Sequence, residues 1–274
     1  MEIKILGSVS PYCKGDKNCV GYLVKSNDSN ILLDCGNGIS RNMNMATDLN
    51  NLTIIISHLH KDHYAELLSL GYASYINHRL GFINKRIKVY IPKTDYYEVS
   101  EDYTNEDGWG SFRTVKKEIE DYHFLMNFGK EHYMEFLEYD EDSIINIDDI
   151  EITFSENPHQ INTYSARLKE NENIFVYSAD TGFEDNSLIE LSKEADILLC
   201  ESTFLKGQIK NSDNHLYAYE AATIAKQSNV KQLVLTHFYP EIEKEKYLEE
   251  AKQIFPNTIV AEEGKILKIV GKKK

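Results

Sequence analysis

The apolar run Leu52-Thr53-Ile54-Ile55-Ile56-Ser57 leads straight into His58-Leu59-His60-Lys61-Asp62-His63. The β-branched run predicts a buried strand. Three imidazoles and a carboxylate placed just past its end would leave the sheet edge together. Neutral imidazole and carboxylate are the ligands that zinc, manganese and iron favour. The chain holds nine His in 274 residues, and three of them sit in these six positions. A scatter of surface histidines does not give that density.

Three later segments share this arrangement. His159 lies in Asn157-Pro158-His159-Gln160, after the strand-like Ile150-Glu151-Ile152-Thr153-Phe154. Asp180 follows Ile174-Phe175-Val176-Tyr177, and His237 follows Leu233-Val234-Leu235-Thr236. In each case a hydrophobic strand delivers a potential ligand at its C-terminal tip. Taken together and in this order, the segments resemble the metallo-β-lactamase-fold hydrolases. The resemblance implies two metals, zinc or alternatively manganese. His58, His60 and His159 would bind one, Asp62, His63 and His237 the other, and Asp180 would bridge them. It also implies a four-layer α/β/β/α sandwich, which fits the alternation of strands and helices along the chain. Asp34, in Asp34-Cys35-Gly36 after an early hairpin, is the matching carboxylate that supports the metal loop from behind.

A narrower resemblance rests on Cys200-Glu201-Ser202-Thr203-Phe204 and on Asn214-His215-Leu216-Tyr217 before an alanine-rich helix. Both are similar to motifs of the tRNase Z-like phosphodiesterase branch. There the histidine protonates the leaving oxygen and the acidic residue orients it. By that resemblance His215 is the general acid, Glu201 its orienter, and Asp62 a further catalytic group beside the attacking water. The chain departs from tRNase Z in one respect. The long basic arm that grips tRNA has no counterpart: 21 residues separate His159 from Asp180, 21 separate Asp180 from Glu201, and 13 separate Glu201 from His215.

The net charge of −14 is concentrated. Residues 95–150 hold 17 Asp+Glu against 4 Lys+Arg, leaving the remainder near neutral. Such a surface repels the backbone of a long nucleic acid. The expected substrate is therefore a small phosphodiester, foremost a 3′,5′-cyclic mononucleotide. Armless relatives include the phage anti-Pycsar proteins, which destroy cyclic pyrimidine nucleotides. A tRNA 3′ endoribonuclease is the main alternative. A lactonase or thioesterase of the same fold is a second, but it would not need the His215–Glu201 pair.

The chain is expected to form one domain, 1–274, carrying an acidic, Tyr-rich insertion at about 95–140 with helices at 115–122 and 131–139. That insertion, with Tyr96, Tyr97, Tyr103, Tyr122, Tyr133 and Tyr139, is a candidate surface for a homodimer or a stacked base. No apolar run is long enough to span a membrane, and the N-terminus does not read as a signal peptide. Cys13, Cys19, Cys35 and Cys200 lack C-x-x-C spacing and read as free thiols, which points to a cytoplasmic location. The Asn-, Lys-, Ile- and Tyr-heavy composition suggests an AT-rich genome, bacterial or phage.

Overall fold

The computed structural model describes residues 1–93, 111–184, 186–209 and 214–270, the side chains of 111–119 excepted. Fourteen strands are found among them: β1 (Glu2–Gly7), β2 (Gly21–Ser26), β3 (Ser29–Leu33), β4 (Leu52–Ile55), β5 (Ile87–Pro92), β6 (Met134–Tyr139), β7 (Ile144–Ile147), β8 (Ile150–Glu156), β9 (Tyr164–Glu170), β10 (Asn173–Tyr177), β11 (Ile197–Glu201), β12 (Gln232–Thr236), β13 (Thr258–Val260) and β14 (Ile266–Lys268). The helices are α1 (Met45–Asp48), α2 (Lys61–Tyr64), α3 (Leu67–Arg79), α4 (Ser111–Glu131), α5 (Ser187–Leu191), α6 (Ala218–Gln227) and α7 (Lys244–Lys252).

The strands form two seven-stranded sheets, ordered β14-β1-β2-β3-β4-β5-β6 and β13-β12-β11-β10-β9-β8-β7. Side-chain alternation explains how they stack. On β2, β3 and β4, residues Tyr22, Val24, Ile31, Leu33 and Ile55 share a core with Ile152, Phe154, Phe175 and Tyr177 of the second sheet. Their neighbours Leu23, Leu32 and Ile54 face the other way, into a core with Leu67 and Leu70 of α3 and Leu125 of α4. A strand buried on both faces needs a continuous apolar run, which is what 52–56 supplies. Helices α5, α6 and α7 cover the outer face of the second sheet. The result is the expected α/β/β/α order of layers.

The 120–140 stretch corrects the expected pair of helices. The helix expected at 115–122 lies within α4, but 134–139 is a strand, paired in parallel with β5 from Ile87↔Met134 to Pro92↔Tyr139. Tyr133, at φ 59°, separates the two elements. Met134, Phe136 and Tyr139 are buried while Glu135 and Glu138 point to solvent. Acids interleaved with apolar residues are the signature of an edge strand. Tyr139 is 2% exposed and donates its hydroxyl to Ile56 O (2.9 Å), so it serves the core under the His58–His63 segment rather than a surface. Tyr96, Tyr97, Tyr103 and the Lys272-Lys273-Lys274 tail lie outside the described residues.

Strands β10, β11 and β12 run parallel, so their C-terminal tips share one edge, and the tip of β4 comes to the same edge from the first sheet. Three strand tips at this edge, those of β3, β10 and β12, turn through a non-glycine residue in the left-handed region: Asp34 (φ 56°), Ala179 (φ 50°) and His237 (φ 61°). That conformation is uncommon for such residues and collects at functional sites. Each one bends the chain abruptly where the strand ends.

Candidate active site

At this edge the structure brings His58, His60, Asp62, His63, His159, Asp180, Glu201, His215 and His237 together, with Asp34 behind them. Ligand atoms of His58, His60, His159 and Asp180 lie within 4.8 Å of one another, as do those of Asp62, His63 and His237, and those of Asp180, His215 and His237. Asp180 therefore stands between two His-rich groups. His58 and His63 are fully buried, and Asp180 and His237 are each 2% exposed.

The His58–His63 loop is locked from behind by Asp34. Its carboxylate accepts from Ser57 N (2.7 Å), Ser57 Oγ (2.8 Å), His63 Nδ1 (2.7 Å) and Tyr177 Oη (2.6 Å). Gly36 lets the loop sit close: a Cβ there would lie 2.0 Å from Asp62 O and 2.7 Å from Val20 O. The hydroxyl of Ser10 holds Asp62 through Oδ2 at 2.6 Å. On the far side, Asn157 Nδ2 donates to Ser178 O (2.7 Å) and Asp180 O (2.9 Å), and Gly182 N donates to Pro158 O (2.8 Å). These bonds join the His159 turn to the Asp180 turn.

The hydrogen bonds also define the protons. Ser57 gives its hydroxyl proton to Asp34, so it accepts from His58 Nδ1 (3.0 Å). His63 Nδ1 donates to Asp34 and His159 Nδ1 to Asn214 O (3.0 Å). In His58 and His159 Nε2 is then left facing the cleft with its lone pair, and in His63 Nε2 is the atom turned toward Asp180 and His237. Burial holds the pKa of His58 well below the usual histidine range and takes His159 down to about 3, so both are neutral. Burial also opposes charge on His63, but Asp180, Asp34 and Asp62 outweigh it and hold its pKa well above the ordinary value. Asp180 Oδ1 is buried with no hydrogen-bond partner, 3.0 Å from His237 Nε2 and 3.4 Å from His63 Nε2. Buried acceptors and lone pairs turned on one another are costly unless a cation lies among them. The donor set, imidazole with carboxylate, suits zinc or manganese.

His215 sits at the open side of this cluster, its Nδ1 3.0 Å from Glu201 Oε1 and 3.8 Å from Asp180 Oδ2. Burial opposes its charge, but Glu201 outweighs burial and lifts its pKa to about 9. Glu201 is 1% exposed and is itself fixed by Thr181 N (3.0 Å) and by Thr203, whose Oγ1 is 2.7 Å away. Asn214 binds His159 and precedes His215, so one short segment positions both rings. Glu220 accepts from Tyr217 N (2.9 Å) and starts α6 directly after it.

Sequence reasoning missed Ser10, Ser57, Asn157, Tyr177 and Thr203. Ser57 and Thr203 adjoin or lie within quoted motifs and were within reach. Tyr177 looks like any other strand residue, and Ser10 lies 52 residues from its partner Asp62. Among the described residues no helix is long and apolar enough to cross a membrane.

Comparison with known proteins gives a consistent family. A metallo-hydrolase from Bacillus subtilis described as probable, YhfI, is 26% identical over 96% of this chain and 98% of its own length. Ribonuclease Z of Archaeoglobus fulgidus is 27% identical over 98% of this chain and 97% of its own. The crystal structure of the metallo-β-lactamase fold protein YhfI superposes with a TM-score of 0.79 at 23% identity, covering 97% of this chain and 98% of that one. Human tRNase Z, short form, superposes with a TM-score of 0.69 at 18% identity, covering 98% of this chain and all of that one. The family described as anti-Pycsar protein Apyc1 matches residues 1–258. The chain belongs to that family, and it is a metal-dependent hydrolase of the metallo-β-lactamase fold.

Proposed function

We propose that this protein hydrolyses a 3′,5′-cyclic mononucleotide to a linear monophosphate in the cytoplasm, a phage-infected host's included. The observation that carries the reading is the Glu201–His215 pair, 3.0 Å apart and bordering the Asp180 cluster. A phosphodiester releases a poor alkoxide leaving group, so a positioned acid beside the metals has a use there that a lactone or thioester does not require. The family match and the absence of room for a basic arm favour a small substrate over tRNA.

The residues have distinct tasks in this reading. His58, His60 and His159 would hold one divalent ion and Asp62, His63 and His237 the other, with Asp180 placed to serve both. Zinc is the expected metal and manganese the alternative. When bound, such ions lower the pKa of water and offset charge on phosphate oxygens. Asp62, held by Ser10, accepts a hydrogen bond from the attacking water. Glu201 keeps the Nδ1–H of His215 turned toward itself, so Nε2 carries the proton delivered to the departing oxygen.

We also propose a homodimer. The outward face of α3 presents Leu68, Tyr72, Tyr75 and Ile76, which are 38%, 62%, 37% and 50% exposed. Light scattering should give about twice the 31.6 kDa chain mass, and Ile76→Glu should return it to one chain.

The decisive assay incubates metal-loaded protein with a panel of cyclic mononucleotides and with a pre-tRNA. Linear monophosphates with a shallow salt dependence are expected, because few phosphates are engaged. The ribonuclease Z relatives define the rival outcome: 3′-trailer cleavage with no turnover of any cyclic nucleotide would replace this reading.

A further inference from the structure

We infer that Thr203 is a positioning residue that sets the tautomer of His237 and thereby fits that ring for metal. The inference rests on the metal-site reading above, not on the identity of the substrate.

Thr203 Oγ1 lies 2.7 Å from Glu201 Oε2 and 2.7 Å from His237 Nδ1. A hydroxyl has one proton to give. Glu201 is a buried carboxylate surrounded by donors: Thr181 N and His215 Nδ1 at Oε1, and Thr203 N (3.2 Å) at Oε2. In that setting it accepts, so Thr203 spends its proton on Glu201. Its oxygen lone pair must then accept from His237, which places the His237 proton on Nδ1. The lone pair is left on Nε2, the atom 3.0 Å from Asp180 Oδ1 and 3.2 Å from His63 Nε2. That is the nitrogen that faces the cleft.

Three contacts keep the hydroxyl from turning away. The buried Tyr247 of α7 donates its hydroxyl to Thr203 O at 3.2 Å. The preceding residue, Ser202, donates both its amide (2.9 Å) and its hydroxyl (3.0 Å) to Thr236 O, clamping the β11 tip to the β12 tip. Thr203 is 8% exposed, so water has little access to replace it. His215 Nδ1 is 3.4 Å from Thr203 Oγ1 but 3.0 Å from Glu201, so the acid keeps the carboxylate as its partner. Glu201 therefore serves two imidazoles, His215 directly and His237 through one hydroxyl. Asp34 does the corresponding work for His63 without an intermediary. Outer partners of this kind orient ligating histidines and raise their basicity.

The test uses the full chain and Zn²⁺ alone. Ring ¹⁵N–¹H correlation spectra of the zinc-loaded protein should show His237 protonated at Nδ1 with Nε2 ligated. Titration against a chromophoric chelator should show Thr203→Val losing about 10–100-fold in affinity for the weaker zinc. Thr203→Ser, which keeps the hydroxyl, should restore it. Unchanged zinc affinity in Thr203→Val would overturn the inference. So would a wild-type spectrum with the His237 proton on Nε2, a result that needs no variant to fold. A protein that binds zinc with this Thr203 dependence yet hydrolyses no cyclic nucleotide would leave the inference standing and remove only the substrate proposal. A protein that binds no zinc would remove the metal site and this inference together.

Discussion

The two sheets build their shares of the cleft differently. The first sheet contributes four candidate ligands from one turn, His58 to His63, braced by a single buried carboxylate, Asp34, on the neighbouring strand. The second contributes His159, Asp180 and His237, with Glu201 and His215, from separate strand tips and connecting loops. These are held laterally by Asn157, Thr203, Ser202 and Asn214. Compactness on one side and dispersion on the other divide the labour. The first sheet's turn holds candidate metal ligands almost exclusively, whereas the second also carries the Glu201–His215 pair proposed to handle the proton. Proton delivery needs a group close to the metals but not bound to them, and separate tips leave room for one.

Variants taken from each side sharpen this contrast. His63→Ala and Asp180→Ala, one from each sheet, should have the largest effect: metal content and turnover are lost together. Elemental analysis alongside an activity assay reads both, and full metal content in either variant would contradict the ligand assignment. His215→Ala should leave both metals in place and lower turnover by roughly 10²–10⁴-fold on an alkoxide leaving group. The loss should shrink for p-nitrophenolate, which needs little protonation. An equal loss on both substrates would make His215 a binding or structural residue.

Asp34→Ala addresses the brace. It strips partners from Ser57, Tyr177 and His63 at once. Metal affinity should fall about 10–100-fold, measured by chelator competition, with the fold retained by circular dichroism. If the affinity is unchanged, the compact side does not depend on its carboxylate. Gly36→Ala is expected to act on stability alone. Its new methyl would meet the backbone oxygens of Asp62 and Val20, so the loop must shift. A loss of about 1–3 kcal/mol in thermal or denaturant unfolding is expected, as for other overpacked sites. No loss would mean that the turn has slack.

The contrast also governs what could be read in advance. His58 to His63 are contiguous, so the ligand types and the strand before them are visible together. The β-branched runs before Asp180 and His237 likewise mark strand tips. Edge strand β6 was misread because Glu131 to Tyr139 has helix-forming residues, and local propensity yields to pairing with β5. The exposed face of α3 was not anticipated either, since exposure depends on which face the sheet covers.

By itself the sequence determined the candidate ligand types, the strand-then-ligand pattern and the concentration of acidic charge at residues 95–150. These depend on residue type and short spacing, which chain order preserves. Only the tertiary structure decided that Asp180 stands between both groups, that Asp34 serves His63, and that Thr203 joins Glu201 to His237. Except for Thr203 and Glu201, two positions apart, those relations link residues 21 to 122 positions apart, and the direction of each hydrogen bond follows from which other donors surround the same oxygen. Local sequence does not encode that count; the meeting of strand tips at one edge does.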